Sequence, residues 1–388
     1  MTSFWSSKGI KMISKRLENM SQSDIRAMTL ENNKFGGINL GQGICDMPTP
    51  ELVEKGAIEA IKDRKSTYSP AAGIPELRTR LTEKLKSENG IDTEPSNIII
   101  TSGTTGGYCA TLSALFNPDD EVILFEPFYG YHKNSAKVLG VNAVSVPLEL
   151  PSLDLDMDAL SSAITEKTRA IVLCTPANPS GKMFSKDEIL KIGKLAKEKN
   201  LLIISDEIYE YFTYDNREHI SPASLSDLKD RTVTLMGFSK TFSITGWRLG
   251  YVVAPKDLAP TISLANDLMY VCAPTPLQYA VLKGMDEPKS YYEDLKTEFT
   301  SKREMICNAL TDGGFEVIKP QGAYYVLADH SSFGFSDSLE AAMKILTTVK
   351  VTGIPGRAFF SRQEGENYVR FCYSLEDGIL TEACQRLS

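Results

Sequence analysis

Seven short apolar runs mark the middle of the chain, at residues 98–100, 122–125, 141–146, 170–173, 201–204, 233–236 and 249–254. They are rich in β-branched residues and most lack the alternation of a half-exposed strand, so they predict strands buried on both faces. Helical stretches or long connections separate most of them, residues 186–199 being the clearest helix. Strand and helix in alternation predict a mainly parallel sheet with helices on both faces. Ahead of it, residues 12–35 form a mixed amphipathic stretch with Ile13, Leu17, Met20 and Ile25 as its apolar positions. A short strand from Ile38 ends in glycines at Gly41 and Gly43, and helices follow at 51–63 and 76–88. After about Pro288 the texture changes to a charged helix at 291–310, strands at 315–318, 323–327 and 368–372, and a helix around 338–347. That pattern predicts a smaller α+β domain.

In open parallel sheets ligands lie beyond the carboxyl ends of the strands, so the residues just after each run carry the interest. The run ending at Met236 leads into Gly-Phe-Ser-Lys240-Thr-Phe-Ser-Ile-Thr-Gly-Trp-Arg248. A lysine at a strand end among Phe238, Phe242 and Ile244 is partly desolvated. Its pKa falls, and the neutral amine can attack a carbonyl to form a Schiff base. An arginine close by can hold a phosphate through paired hydrogen bonds. Amine for aldehyde and guanidinium for phosphate together suit pyridoxal 5′-phosphate (PLP). A loop lysine and a salt-bridged edge arginine would give the same letters.

The other strand ends offer matching parts, each with a plain structural reading beside it. Thr101-Ser-Gly103-Thr104-Thr105-Gly-Gly opens a helix, a common turn and also a phosphate cradle. Ser205-Asp206-Glu-Ile-Tyr209 caps a helix, or sets a carboxylate where it can keep a pyridine nitrogen protonated, with Tyr209 one turn on. Thr175-Pro-Ala-Asn178-Pro-Ser-Gly is a turn, or an amide donor to the same ring. Tyr129 is a packing aromatic, or the face on which a flat ring rests. Arg370, between Val369 and Phe371, needs an anion, either a structural carboxylate or a substrate's.

Composition narrows the classes. The chain has 388 residues, too many for one ordinary core. A formal charge of −8 and a pI of about 5.2, with no Lys/Arg cluster, disfavour a nucleic-acid binder. Seven scattered Cys with no CxxC suit reduced thiols and a cytoplasmic location, and three His without metal spacing make a zinc site improbable. Residues 1–11 lack the apolar core of a signal peptide, Met12 offers a second possible start, and no run reaches the length of a membrane span.

Taken together, Ser-Lys240-Thr-Phe, Thr-Gly-Trp-Arg248, Leu-Gly-Tyr and the strand-end motifs resemble the class I/II aminotransferases, the fold type I PLP enzymes, from about Ile38 to Ser374. The resemblance implies an α/β fold with a mainly parallel seven-stranded sheet flanked by helices and a smaller α+β domain. Residues 48–288 would form the large PLP-binding domain, 289–388 the small domain, and 1–47 an N-terminal arm completing it. It implies that Lys240 holds PLP as a Schiff base, that Asp206 pairs with the pyridine nitrogen, and that Asn178 and Tyr209 serve the phenolic oxygen. Tyr129 would stack on the ring, and Gly103, Thr104, Thr105 and Arg248 would hold the phosphate. Arg370 would take the substrate carboxylate, with Asn178 and the Gly41 backbone nearby. Tyr68 resembles the tyrosine that reaches the partner subunit's phosphate, which implies a homodimer with shared sites. Two positions depart from common family patterns: Gly237 stands where many members carry Ser, and Thr105 where an aspartate-specific branch carries Lys. Tyr129, Tyr131, Tyr324 and Phe359 are expected around the mouth, where they suit larger side chains or plain packing. The expected activity is transfer of an amino group from an L-amino acid to a 2-oxo acid. A PLP-dependent β-eliminating lyase of C–S lyase type would share the cofactor residues. A regulator built on the same fold would need a DNA-binding segment, and only about 35 residues precede the Ile38 strand.

Overall fold

The computed structural model describes residues 14–18, 20 and 23–388. The readings on residues 1–11, Met12 and Ile13 therefore lie outside the described residues.

In chain order the elements are α1 (Asp24–Phe35), β1 (Ile38–Asn39), α2 (Glu51–Lys62), α3 (Pro75–Asn89), β2 (Ile98–Thr101), α4 (Gly103–Leu115), β3 (Glu121–Glu126), α5 (Gly130–Leu139), β4 (Asn142–Glu149), β5 (Asp154–Leu155), α6 (Met157–Ala163), β6 (Thr168–Cys174), α7 (Lys186–Glu198), β7 (Leu202–Asp206), β8 (Thr232–Gly237) and β9 (Gly250–Val253). There follow α8 (Ala259–Tyr270), α9 (Thr275–Gly284), α10 (Lys289–Asp312), β10 (Glu316–Ile318), β11 (Tyr325–Asp329), α11 (Ser338–Val349), β12 (Val351–Thr352), β13 (Ile354–Pro355), β14 (Tyr368–Cys372) and α12 (Asp377–Leu387).

All seven expected runs are strands of one sheet, ordered β2-β9-β8-β7-β6-β3-β4-β5. The two-residue β5 extends it at one edge. Pairing is parallel from β8 through β4, and β9 alone inside the sheet runs against both its neighbours. The central strands are buried on both faces, as their unbroken apolar runs require. Helix α7 shows why the local sequence folds as it does. Ser185 accepts from the Glu188 N–H, the Glu188 carboxylate returns to the Ser185 N–H, and Ile189, Ile192, Leu195 and Ala196 form its buried stripe.

The C-terminal region builds the smaller antiparallel sheet β10-β11-β14-β13. Strand β1 pairs in parallel with β12 as a separate two-stranded ribbon, and the Leu40 carbonyl accepts from the Cys372 N–H of β14, which docks the segment before Gly41 on this second sheet. Arg303 on α10 joins the two parts. It is almost wholly buried and grips both oxygens of Asp215 at 2.7 Å, with the Tyr214 ring 4.5 Å from its guanidinium carbon. A planar fork matched to a carboxylate is the pairing that tolerates such burial.

Candidate active site

Five strand ends converge on one cavity of about 380 Å³. Thr104 and Thr105 enter after β2, Tyr129 after β3, Asn178 after β6, Asp206 and Tyr209 at and after β7, and Lys240 after β8; Arg248 and Arg370 also line it. Lys240 and Asp206 thus face one space rather than separate ones. Gly41 contributes through its carbonyl, which accepts from Arg370. Three predicted site residues are not among the lining: Gly41, Gly103 and Tyr68, the last standing 82% exposed on the surface.

The Lys240 ammonium donates to the Gly43 carbonyl at 2.9 Å and lies 5.8 and 5.7 Å from the ring centres of Tyr209 and Tyr324. Burial lowers its pKa from 10.5 to about 8. Arg248 and Arg370 push the same way, while the thiols of Cys45 and Cys372 oppose them. A lysine half neutral near pH 8 is poised as a nucleophile.

Asp206, buried at the end of β7, has a partner that sequence reading missed. His132 Nε2 lies 2.9 Å from Asp206 Oδ2, and both residues are buried. Asp206 Oδ1 accepts from the Ile208 N–H at 3.3 Å. His132 follows Tyr129 by three positions at the start of α5, so one turn brings both to the cavity, their rings meeting edge to face at 5.4 Å. In the sequence His132 counts only as one of three histidines without metal spacing, and its three-residue step from Tyr129 carries no further signal.

Arg248 adopts a left-handed backbone, φ 59°, closing a short turn over Thr245–Trp247. Its guanidinium lies against Gly103, where φ is 70° and a Cβ would come within 2.5 Å of the terminal nitrogen. Only glycine fits there. The N-terminus of α4 carries no side-chain cap, so its first N–H groups remain donors. Uncapped N–H groups, two threonines and a guanidinium make a donor set suited to a phosphate. A methyl on Gly237 would fall 2.8 Å from Ile208 Cδ1 and 3.1 Å from Thr104 Oγ1, so a serine there would crowd the same corner.

Arg370 on β14 is 1% exposed. One terminal nitrogen donates to Asn178 Oδ1 at 2.8 Å and the other to the Gly41 carbonyl, while Tyr325 and Phe359 lie on the guanidinium at 4.4 and 4.6 Å. Among the described residues no carboxylate is a partner of Arg370, and its Nε is left without an acceptor. Asn178 turns its oxygen to Arg370, which leaves its NH₂ free to donate into the cavity. Tyr131 lines the cavity and stacks on Tyr129 at 5.3 Å. Tyr324 and Phe359 do not line it; both are fully buried, so packing accounts for them rather than the mouth. Tyr108, Cys174 and Tyr325 are lining residues the sequence did not single out, and the buried Tyr108 hydroxyl has no partner among the described residues. Among the described residues no cluster has the makings of a metal site, and no helix is long and apolar enough to cross a membrane.

The aldehyde-reactive amine, the phosphate cradle and the enclosed carboxylate fit a single cofactor, PLP, and known proteins agree with that reading. Residues 36–387 match the class I and II aminotransferases. The chain is 36% identical over 97% of its length, and 97% of the other, to aromatic-amino-acid aminotransferase 2 of Thermococcus litoralis. It is 34% identical to an aspartate aminotransferase of Pyrococcus abyssi, with 97% of each covered. Among solved structures, N-succinyldiaminopimelate aminotransferase of Mycobacterium tuberculosis superimposes with a TM-score of 0.92 at 30% identity, covering 97% of this chain and 99% of that one. The chain belongs to the class I and II aminotransferases. It is a PLP-dependent enzyme of fold type I that moves an amino group from an amino acid to a 2-oxo acid.

Proposed function

We propose that Lys240 is the residue that bonds PLP and relays the proton of the reaction, with the rest of the cavity arranged around that task. The observation that carries this is one cavity holding a lysine of lowered pKa, a buried carboxylate and two arginines. When bound, PLP supplies an aldehyde carbon that accepts amines and a ring that withdraws electrons. Lys240 would bond to that carbon and, once displaced by an incoming amino acid, its free amine would take the proton from the substrate's α-carbon and deliver it to the former aldehyde carbon, as base and then acid. Asp206, oriented by His132, keeps the ring nitrogen protonated. Asn178 and Tyr209 donate to the phenolic oxygen, Tyr129 backs the ring, and Gly103, Thr104, Thr105 and Arg248 hold the phosphate. Arg370 binds the substrate carboxylate beside Asn178 and the Gly41 carbonyl.

The lining residues also bear on the substrate. Ile25, Ile44 and Tyr131 are among them, and among the described residues no lysine or arginine beyond Lys240, Arg248 and Arg370 is. That favours a neutral aliphatic or aromatic amino acid over a dicarboxylic one. A homodimer is supported by an apolar face beside the phosphate cradle: Leu264, Leu268, Met269, Tyr270 and Val271 are exposed there, with Val271 held at φ 64°. The Tyr270 ring lies against Gly106, and Ser69, next to Tyr68, donates its N–H to the Thr275 hydroxyl at 3.1 Å. In the dimer Tyr68 reaches the other subunit's phosphate. Residues 48–288 form the large domain and 289–388, with 1–47, the small one, in a cytoplasmic enzyme.

Lys240→Ala is expected to abolish turnover and the near-ultraviolet band of the PLP-loaded protein; a variant that transaminates at the wild-type rate refutes the assignment. A panel of amino acids, followed by loss of that band and by assays for pyruvate and ammonia, separates transfer from β-elimination.

A further inference from the structure

Tyr209 and Tyr325 form a buried hydroxyl pair, 2.9 Å apart. Burial raises both phenols above their ordinary pKa, so each keeps its single proton at neutral pH. A hydroxyl with one proton donates one hydrogen bond. If Tyr209 spends its proton on the cofactor's phenolic oxygen, as the reading above holds, it must accept from Tyr325. The pair then has a fixed direction, with Tyr325 donating to Tyr209 and Tyr209 donating into the cavity.

Tyr325 is also tied to the carboxylate site. Strands β11 and β14 pair antiparallel, with Tyr325 opposite Cys372 and Leu327 opposite Arg370. Tyr325 and Arg370 are therefore diagonal neighbours on one face of the sheet. The Arg370 guanidinium carbon lies 4.4 Å from the centre of the Tyr325 ring, with Phe359 at 4.6 Å. The hydroxyl end is fixed as well, because Gly43 has no side chain; a methyl there would collide with the Tyr325 oxygen. The Gly43 carbonyl meanwhile accepts from Lys240.

We propose that Tyr325 is a positioning residue that couples occupancy of the carboxylate arginine Arg370 to the strength with which Tyr209 donates to the cofactor's phenolic oxygen. It rests on the reading of Lys240, Tyr209 and Arg370 given above and adds a residue to it. A carboxylate on Arg370 neutralises the cation over the Tyr325 ring. The Tyr325 hydroxyl becomes a weaker donor, Tyr209 is less polarised, and the phenolic oxygen is less stabilised. The Schiff-base nitrogen beside that oxygen then holds its proton more tightly. The enzyme thus becomes protonated at the reacting centre when a substrate's carboxylate has docked.

The test is a pH titration of the visible absorption of the PLP-loaded protein, with and without a saturating unreactive monocarboxylate, 3-phenylpropionate. In the wild type the carboxylate moves the midpoint upward. Tyr325→Phe keeps the ring on Arg370 and removes only the hydroxyl. It is expected to raise the ligand-free midpoint by about half a pH unit and to shrink the carboxylate-induced displacement by half or more. The dissociation constant of 3-phenylpropionate should change by less than about threefold. The residual displacement belongs to the direct Arg370–Asn178 bond. Gly43→Ala, which drives the hydroxyl away from the opposite side, should reproduce the loss of coupling. Equal carboxylate-induced displacements in the wild type and in either folded variant overturn the proposal while leaving the Lys240 reading intact. Absence of any visible band in the PLP-treated wild type overturns both.

Discussion

The lowered pKa of Lys240 makes a prediction that runs against the usual expectation for an active-site deletion: in PLP-free protein, removing this lysine should stabilise the fold at neutral pH. The gap between 10.5 and about 8 corresponds to roughly 3 kcal/mol of disfavoured burial. The side chain faces an open cavity, so solvent screening reduces this to about 2 kcal/mol. Lys240→Met keeps the volume but loses the 2.9 Å bond to the Gly43 carbonyl, which costs about 1 kcal/mol. The net gain at pH 7 is about 1 kcal/mol. The sign changes with pH. Below pH 8 folded and unfolded chains both hold the proton, and the cost of burying it is felt in full. Between pH 8 and 10.5 only the unfolded chain holds it, so wild-type stability climbs relative to the variant. Above 10.5 neither holds it, and the wild type should be the more stable by the Gly43 bond. Urea unfolding of both PLP-free proteins at matched concentration, from pH 7 to 10.5, measures the difference. A wild-type-minus-variant gap that stays flat over that range would refute a strained ammonium at this position.

Two further outcomes follow from the site's geometry. His132→Phe leaves Asp206 Oδ2 without its buried partner; a hydrogen bond to a charged group is worth about 1.5–3 kcal/mol, so the amino-acid half-reaction should slow by roughly one to two orders of magnitude in single-turnover measurements, with His132→Asn recovering part of it. Gly103→Ala forces a side chain into a left-handed backbone and against Arg248, so the PLP dissociation constant measured by fluorescence quenching should rise at least tenfold while the Lys240 reactivity toward free aldehydes persists.

The strands and the residues at their ends were legible because one physical pattern reports both. A fully buried parallel strand must be an apolar run, and whatever polar residue ends it points into the crevice, as Asp206 and Lys240 do. Edge strand β5, two residues long, carries no such signal. His132 and Tyr325 were not legible as site residues for a different reason. His132 acts on Asp206 across 74 positions, and Tyr325 meets Tyr209 across 116. Their roles reside in a partner the local pattern does not name. Tyr324 and Phe359 show the converse: aromatic letters near the site motifs point to a mouth, while Tyr324, just ahead of β11, packs into the core and Tyr325, the first residue of β11, lines the cavity.

Arg370 reaches back 329 positions to the Gly41 carbonyl and 192 to Asn178. During synthesis Asn178, Asp206, Lys240 and Arg248 all leave the ribosome before Arg370 on β14. The Arg370 contacts are thus completed only after β14 has been made and has docked on segments far earlier in the chain.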